Sequence, residues 1–173
     1  AIFTDRKNSS GININIASEA NNFAAQVNLY MQSKWQTGAI VDGKTHTQSN
    51  HQESHVLHIS TAPYDRNINI GTVLFADALL IEKAIYCANQ YYPTWKKVPL
   101  DKRANYLFTL ADLLEKHMPE LVALCHKEAG KTIHDSIDEV REAVDFCRYY
   151  AQQAIQEFKY PANIERFDGV KQQ

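Results

Sequence analysis

The chain has 173 residues, 22% of them charged, with a formal net charge of −2 and a pI near 6.4. That length suits one domain or a large piece of one, and the near-neutral balance excludes the basic footprint of a nucleic-acid or acidic-membrane binder. No apolar run approaches the roughly 20 residues of a membrane span, so no transmembrane segment is expected.

The opening AIFTDRKNSSG has neither the basic head nor the apolar stretch of a signal peptide, and it lacks Met. A cytoplasmic location is expected. GININIA, Gly11 to Ala17, alternates Ile and Asn at period two and reads as an extended strand or tether. Ser18 then suits the N-cap of a helix carrying Ala20, Ala24, Val27 and Met31 at helical spacing, ending at or just before Gly38. Asp42 to Ser54 has the composition of a surface loop. His55–Ser60 and Asn67–Ala76 read as two short strands, and the turn-rich TAPYDR between them predicts an antiparallel pair.

The rest is helical. Asp77 caps a helix with Leu80, Ala84, Cys87 and Tyr91 on one stripe, which Pro93 is expected to stop near Tyr92. Pro99 opens the next, with Leu100, Ala104, Leu107, Ala111, Leu114 and Met118 spaced four and three alternately. Pro119 opens a short helix ending at Gly130. The last helix carries Ile133, Ile137, Val140, Val144, Cys147, Ala151, Ala154 and Phe158 on one face, a rod of roughly 25 residues and about 38 Å. Its polar face places Arg141–Asp145 and Asp145–Arg148 within pairing reach. The fold class expected is mainly α with a short antiparallel β pair.

Gly130-Lys131-Thr132 matches the close of a phosphate-binding loop, G-x-x-x-x-G-K-[ST]. The first glycine of that motif curls the backbone so that several N–H groups meet the phosphates, and the loop follows a buried strand. Cys125 stands in the first glycine's place, and PELVALCHKEA has helical periodicity. Gly130 is instead expected to end one helix in the left-handed region, and Thr132 to cap the next with Asp135 as reciprocal partner.

Other constellations carry less. His46, His51, His55 and His58 are the one cluster that could bind metal; on a helix His51, His55 and His58 would share a face, but their Thr, Gln, Ser and Asn neighbours favour a loop. Cys87, Cys125 and Cys147 fall at apolar helical positions and read as packed, reduced thiols. Glu139 and Glu142 read as a solvated face. Tyr91, Tyr92, Trp95, Phe146, Tyr149 and Tyr150 are assigned to core packing. Catalytic, cofactor-binding and metal residues are expected to be none.

A resemblance adds to this. ADALLIEKAIYCANQYYPTW, VPLDKRANYLFTLADLLEKHMPELVALCHKEAGKT and EVREAVDFCRYYA follow the strand pair in the order seen in the N-terminal part of the aldehyde dehydrogenase superfamily. Trp95, Arg103, Leu107, Ala111, Leu114, Glu128 to Lys131 and Tyr149 to Ala151 carry the likeness. Within the superfamily the chain most resembles the bifunctional proline utilization enzymes, and NSSGININIASEA resembles their linker.

That resemblance implies a parent in which a flavin-dependent proline dehydrogenase is joined to an NAD-dependent L-glutamate γ-semialdehyde dehydrogenase. The latter works by thiolate addition, hydride transfer to NAD and thioester hydrolysis. The family's nucleotide-binding strands, oxyanion-binding Asn, general-base Glu and nucleophilic Cys are not found up to PANIERFDGVKQQ. The expected division is a polar linker with one helix over residues 1–54, the helical N-terminal part of the α/β aldehyde dehydrogenase fold over 55–160, and a tail over 161–173. The expected partner is the remainder of the parent polypeptide, with FAD and NAD bound there and none here. Self-association is expected, because helices shaped to cover a sheet leave apolar stripes open without it. The alternatives are a free-standing helical interaction module, motivated by the last helix, and a zinc-binding loop protein.

Overall fold

A computed structural model describes residues 7–47 and 57–158. Among these residues five helices and five strands follow in the order α1 (Ala17–Tyr30), β1 (Trp35–Gly38), β2 (Ile40–Val41), β3 (Lys44–Thr45), β4 (Leu57–Ala62), β5 (Asp65–Leu74), α2 (Ala78–Trp95), α3 (Leu100–Lys116), α4 (Met118–Ala129) and α5 (Ile133–Glu157).

The period-two run at Gly11 forms no strand. Asn13 closes an Asx turn, accepting at Oδ1 from the Asn15 amide at 3.1 Å, and Ile16 rather than Ser18 stands at the N-cap of α1. That helix stops at Tyr30, well short of Gly38, because the chain beyond it is drawn into a sheet. Trp35 to Gly38 run parallel to Gly71 to Leu74, so the expected antiparallel pair is the larger part of a three-stranded mixed sheet in the order β1-β5-β4. Gly71 is where this pairing demands glycine: a Cβ there would lie 2.1 Å from the Trp35 carbonyl oxygen. The stretch assigned to a loop begins instead with a hairpin, β2 against β3. Asp42 and Gly43 turn it with φ of 52° and 70°, the two positive values a type I′ turn requires.

The helical half follows its apolar spacing. Phe23 and Val27 of α1, Met118, Val122 and Ala123 of α4, and Ile137 and Val140 of α5 form one buried cluster. Ala104 and Ala111 of α3 and Val144 and Ala151 of α5 are also buried, small residues that let helix backbones approach. Burial takes Ile137, Val140, Val144 and Ala151 from the heptad-like face of α5, while Phe158 at its end is exposed. Two proline positions shift: α2 runs through Pro93 to Trp95, and Pro99 stands at the N-cap of α3, one place before the helix.

The Gly-Lys-Thr segment is a helix–glycine–helix corner. Gly130 has φ 66° and ψ 20°, and its N–H donates to the His126 carbonyl. The Thr132 hydroxyl accepts from the Asp135 amide at 3.1 Å and donates to the Asp135 carboxylate at 2.7 Å. Pro63, in the β4–β5 turn, packs against the corner, within 3.2 Å of where a Gly130 Cβ would stand.

Candidate functional site

Helix α2 shows what this chain presents outward. Asp77 starts it by accepting the Leu80 amide at 2.7 Å, yet none of its residues is buried. Leu79, Ile81, Ile85, Tyr86, Tyr91 and Tyr92 are exposed, Leu79 by 67% and Tyr92 by 60%. A helix apolar on several sides belongs in a core, and here only one side has a neighbour. That side meets the β2–β3 hairpin across an open groove of about 410 Å³ between Val41, Gly43, Ala84, Cys87 and Tyr91.

The uncovered surface continues onto α3. Trp95 stacks on Tyr106, ring centroids 6.0 Å apart, and Tyr106, Leu110 and Leu113 form a second apolar stripe at i, i+4, i+7. This stripe is distinct from Ala104 and Ala111, which are buried. On α5, Phe146, Tyr149 and Tyr150 form an exposed aromatic group, Tyr149 edge-on to Tyr150 at 5.3 Å. The six aromatics assigned to core packing are therefore all exposed. Their periodicity marks them as residues that avoid water, without saying which part of a protein covers them. Exposed apolar surface of this extent is the mark of an interface.

Two buried charges hold the framework behind that surface. Arg148 is 3% exposed and lies on the inward side of α5, not the solvated one. Its Nη1 donates to Glu115 Oε1 at 3.0 Å and its Nη2 to Glu115 Oε2 at 2.8 Å and Asp112 at 2.9 Å. The expected Asp145–Arg148 pair is replaced by these contacts, and Asp145 accepts from Ser9. The Arg148 bonds hold the Glu115 carboxyl down to about 2, against the opposing effect of burial. Lys127, 4% exposed, donates to the Ser33 carbonyl at 2.7 Å and lies 4.8 Å from the Trp35 ring centre. Burial, then Lys34, pushes its pKa down. The Trp35 indole donates to Glu120 at 3.1 Å, so α4 fixes the passage from α1 into β1.

Among the described residues, those with chemical potential do not converge. His46 follows β3 and His58 lies in β4 with its ring 5.7 Å from Phe75; His51 and His55 lie outside the described residues. Among the described residues no group of three His, Cys, Asp or Glu side chains is placed to hold a metal. The three cysteines are half-buried, and burial with Glu139 pushes the Cys125 thiol up, the reverse of what a nucleophile needs. Glu139 pairs with Lys131. The Gly130, Asp135 and Ser136 amides of the corner are bonded within the chain, as a helix cap and a helix start require. Among the described residues no helix is long and apolar enough to cross a membrane.

Comparison with known proteins places this geometry in context. A model described as "Aldehyde dehydrogenase family" matches residues 49–168. The bifunctional protein PutA of Klebsiella aerogenes is 40% identical over 89 residues, 51% of this chain and 7% of that protein. The 1-pyrroline-5-carboxylate dehydrogenase of Bacillus subtilis is 37% identical over 97 residues, 56% of this chain and 19% of the other. Among solved structures, a 1-pyrroline-5-carboxylate dehydrogenase from Thermus with bound NAD superposes with a TM-score of 0.80 at 21% identity, covering 98% of this chain and 32% of that one. The chain thus spans a small part of the relatives it matches.

Proposed function

The chain belongs to the aldehyde dehydrogenase family, and from that premise we propose that it is the leading scaffold of a PutA-like L-glutamate γ-semialdehyde dehydrogenase module. In this reading residues 1–54 are a polar linker with one helix, 55–160 the helical N-terminal part of the module and 161–173 a tail. The parent is a cytoplasmic polypeptide that oxidises proline to glutamate, using FAD in a proline dehydrogenase part and NAD in the aldehyde dehydrogenase part.

This chain supplies no catalytic, cofactor-binding or metal-ligating residue in that reading. It contributes α2, α3 and α5 as a cover for the remainder of the module. The observation that carries the reading is the open apolar surface from Leu79 through Trp95 and Tyr106 to Leu113, in a chain 40% identical to PutA over 89 residues. Association between copies through the same surface is the expected behaviour of the isolated chain.

The test is turnover. With L-glutamate γ-semialdehyde and NAD the chain alone should form no NADH, while a polypeptide extended to the end of the module should. NADH formation by the chain alone would overturn the reading.

A further inference from the structure

Residues 8–12 have no secondary structure, yet charged side chains of α3 and α5 hold their backbone. Arg148 Nη1 donates to the Asn8 carbonyl at 3.1 Å. The Ser9 amide donates to Asp145 Oδ1 at 2.7 Å and the Ser9 hydroxyl to Oδ2 at 3.0 Å. The Ser10 amide donates to Glu115 Oε1 at 2.6 Å. Ser9 is 8% exposed. Three residues on, Ile12 packs against the buried cluster containing Phe23 and Met118, and it helps line an open cleft of about 250 Å³ with Ser10, Phe23, Gln26, Met118 and Pro119.

The receptor half of this contact is complete without the segment. Arg148 keeps both Glu115 oxygens and Asp112 when Asn8 leaves, so departure strands no buried charge. Asp145 is only partly buried, and water can replace Ser9 there. Among the described residues, what departure forfeits is four hydrogen bonds and the packing of one isoleucine. Opening of α4 or α5 would instead expose Val122, Val144 and Ala151, all fully buried. Local openings draw on such lightly buried segments.

We propose that Asn8–Ile12 is a releasable strap, seated in a preformed cradle of Glu115, Asp145 and Arg148, whose opening bares the Phe23–Met118 cleft while the helices stay folded. Because, among the described residues, all but one of its hydrogen bonds are to main-chain atoms, the cradle recognises backbone, with the Ser9 hydroxyl as the one side-chain contact.

Amide exchange on the full chain, followed by NMR, tests it. The Ser9 and Ser10 amides should exchange at least a hundredfold faster than those of Val122 and Val144. Asp145→Asn, which leaves the Arg148–Glu115 pair intact, should speed Ser9 exchange at least tenfold without changing Val122 or Val144. In the same variant dilute peroxide should oxidise Met118 faster, in step with Ser9. Exchange of Ser9 at the rate of Val144 would overturn the strap, as would a variant that accelerates all these amides together or leaves Ser9 unchanged. Unaltered Met118 oxidation would overturn the uncovering of the cleft.

Discussion

Arg148 of α5 and Glu115 of α3 form a two-pronged ion pair, 3.0 and 2.8 Å, in which the arginine side chain is 4% exposed and the glutamate 15%. Removing one partner of a buried pair leaves the other charge without compensation, at a cost of about 3–5 kcal/mol. Glu115→Ala should fall near the lower end of that range, about 3 kcal/mol, because Asp112 remains on Arg148. Asp112→Ala, at a residue whose side chain is 69% exposed, should cost under about 1 kcal/mol. Urea unfolding of the two variants against the parent measures both.

The same pair sets an acid limit. The Glu115 carboxyl titrates at about 2, against an ordinary 4.5. A depressed carboxylate contributes its full stabilisation above pH 4.5 and loses it progressively as pH falls toward 2, since the unfolded chain takes up the proton first. The contribution is on the order of 3 kcal/mol. Unfolding free energy measured across this window should decline, and Glu115→Gln should flatten part of that decline.

Two glycines should respond differently from a third. Gly71→Ala places a Cβ against the backbone of the paired strand, 2.1 Å from the Trp35 oxygen, and should cost more than about 3 kcal/mol by breaking the β1–β5 pairing. Gly130→Ala meets a positive φ and the Pro63 ring, costing about 1–2 kcal/mol from the backbone alone. Gly43→Ala meets the positive φ with no atom nearby and should cost the least of the three. Thermal unfolding gives the order.

The open face should make the isolated chain associate. Light scattering is expected to show an apparent mass that rises with concentration. Replacing Tyr106, Leu110 and Leu113 together with Ser or Gln should suppress the rise. All three are exposed, so the cost to stability should be small, on the order of 1 kcal/mol for Tyr106, which gives up its stacking on Trp95.

The residues that announced themselves in the sequence are those whose signal is local. Gly130 and Thr132 read as a corner because a left-handed cap and a reciprocal cap are fixed within six residues. The Asp42-Gly43 turn was equally local, but its polar surroundings concealed two-residue strands. β1 was not legible, because Trp35–Gly38 is a strand only through pairing with residues 36 positions later. Arg148 sits four residues after Val144 and three before Ala151, on the buried stripe, and an apolar-only count passes over it. Its partner Glu115 lies on another helix. The stripe of Tyr106, Leu110 and Leu113 was periodic like the buried one. Spacing records which side chains shun water in the whole protein, and only the packing of the helices decides which of them this chain leaves open.

The central claim is that this open face receives the rest of an aldehyde dehydrogenase module. Amide exchange by mass spectrometry, with and without the separately produced remainder of a PutA-like module, measures it most directly. Slowed exchange in Ala78–Trp95 and around Tyr106–Leu113, with α4 unchanged, is the predicted result. Exchange in those helices that is the same with and without the remainder would contradict the account.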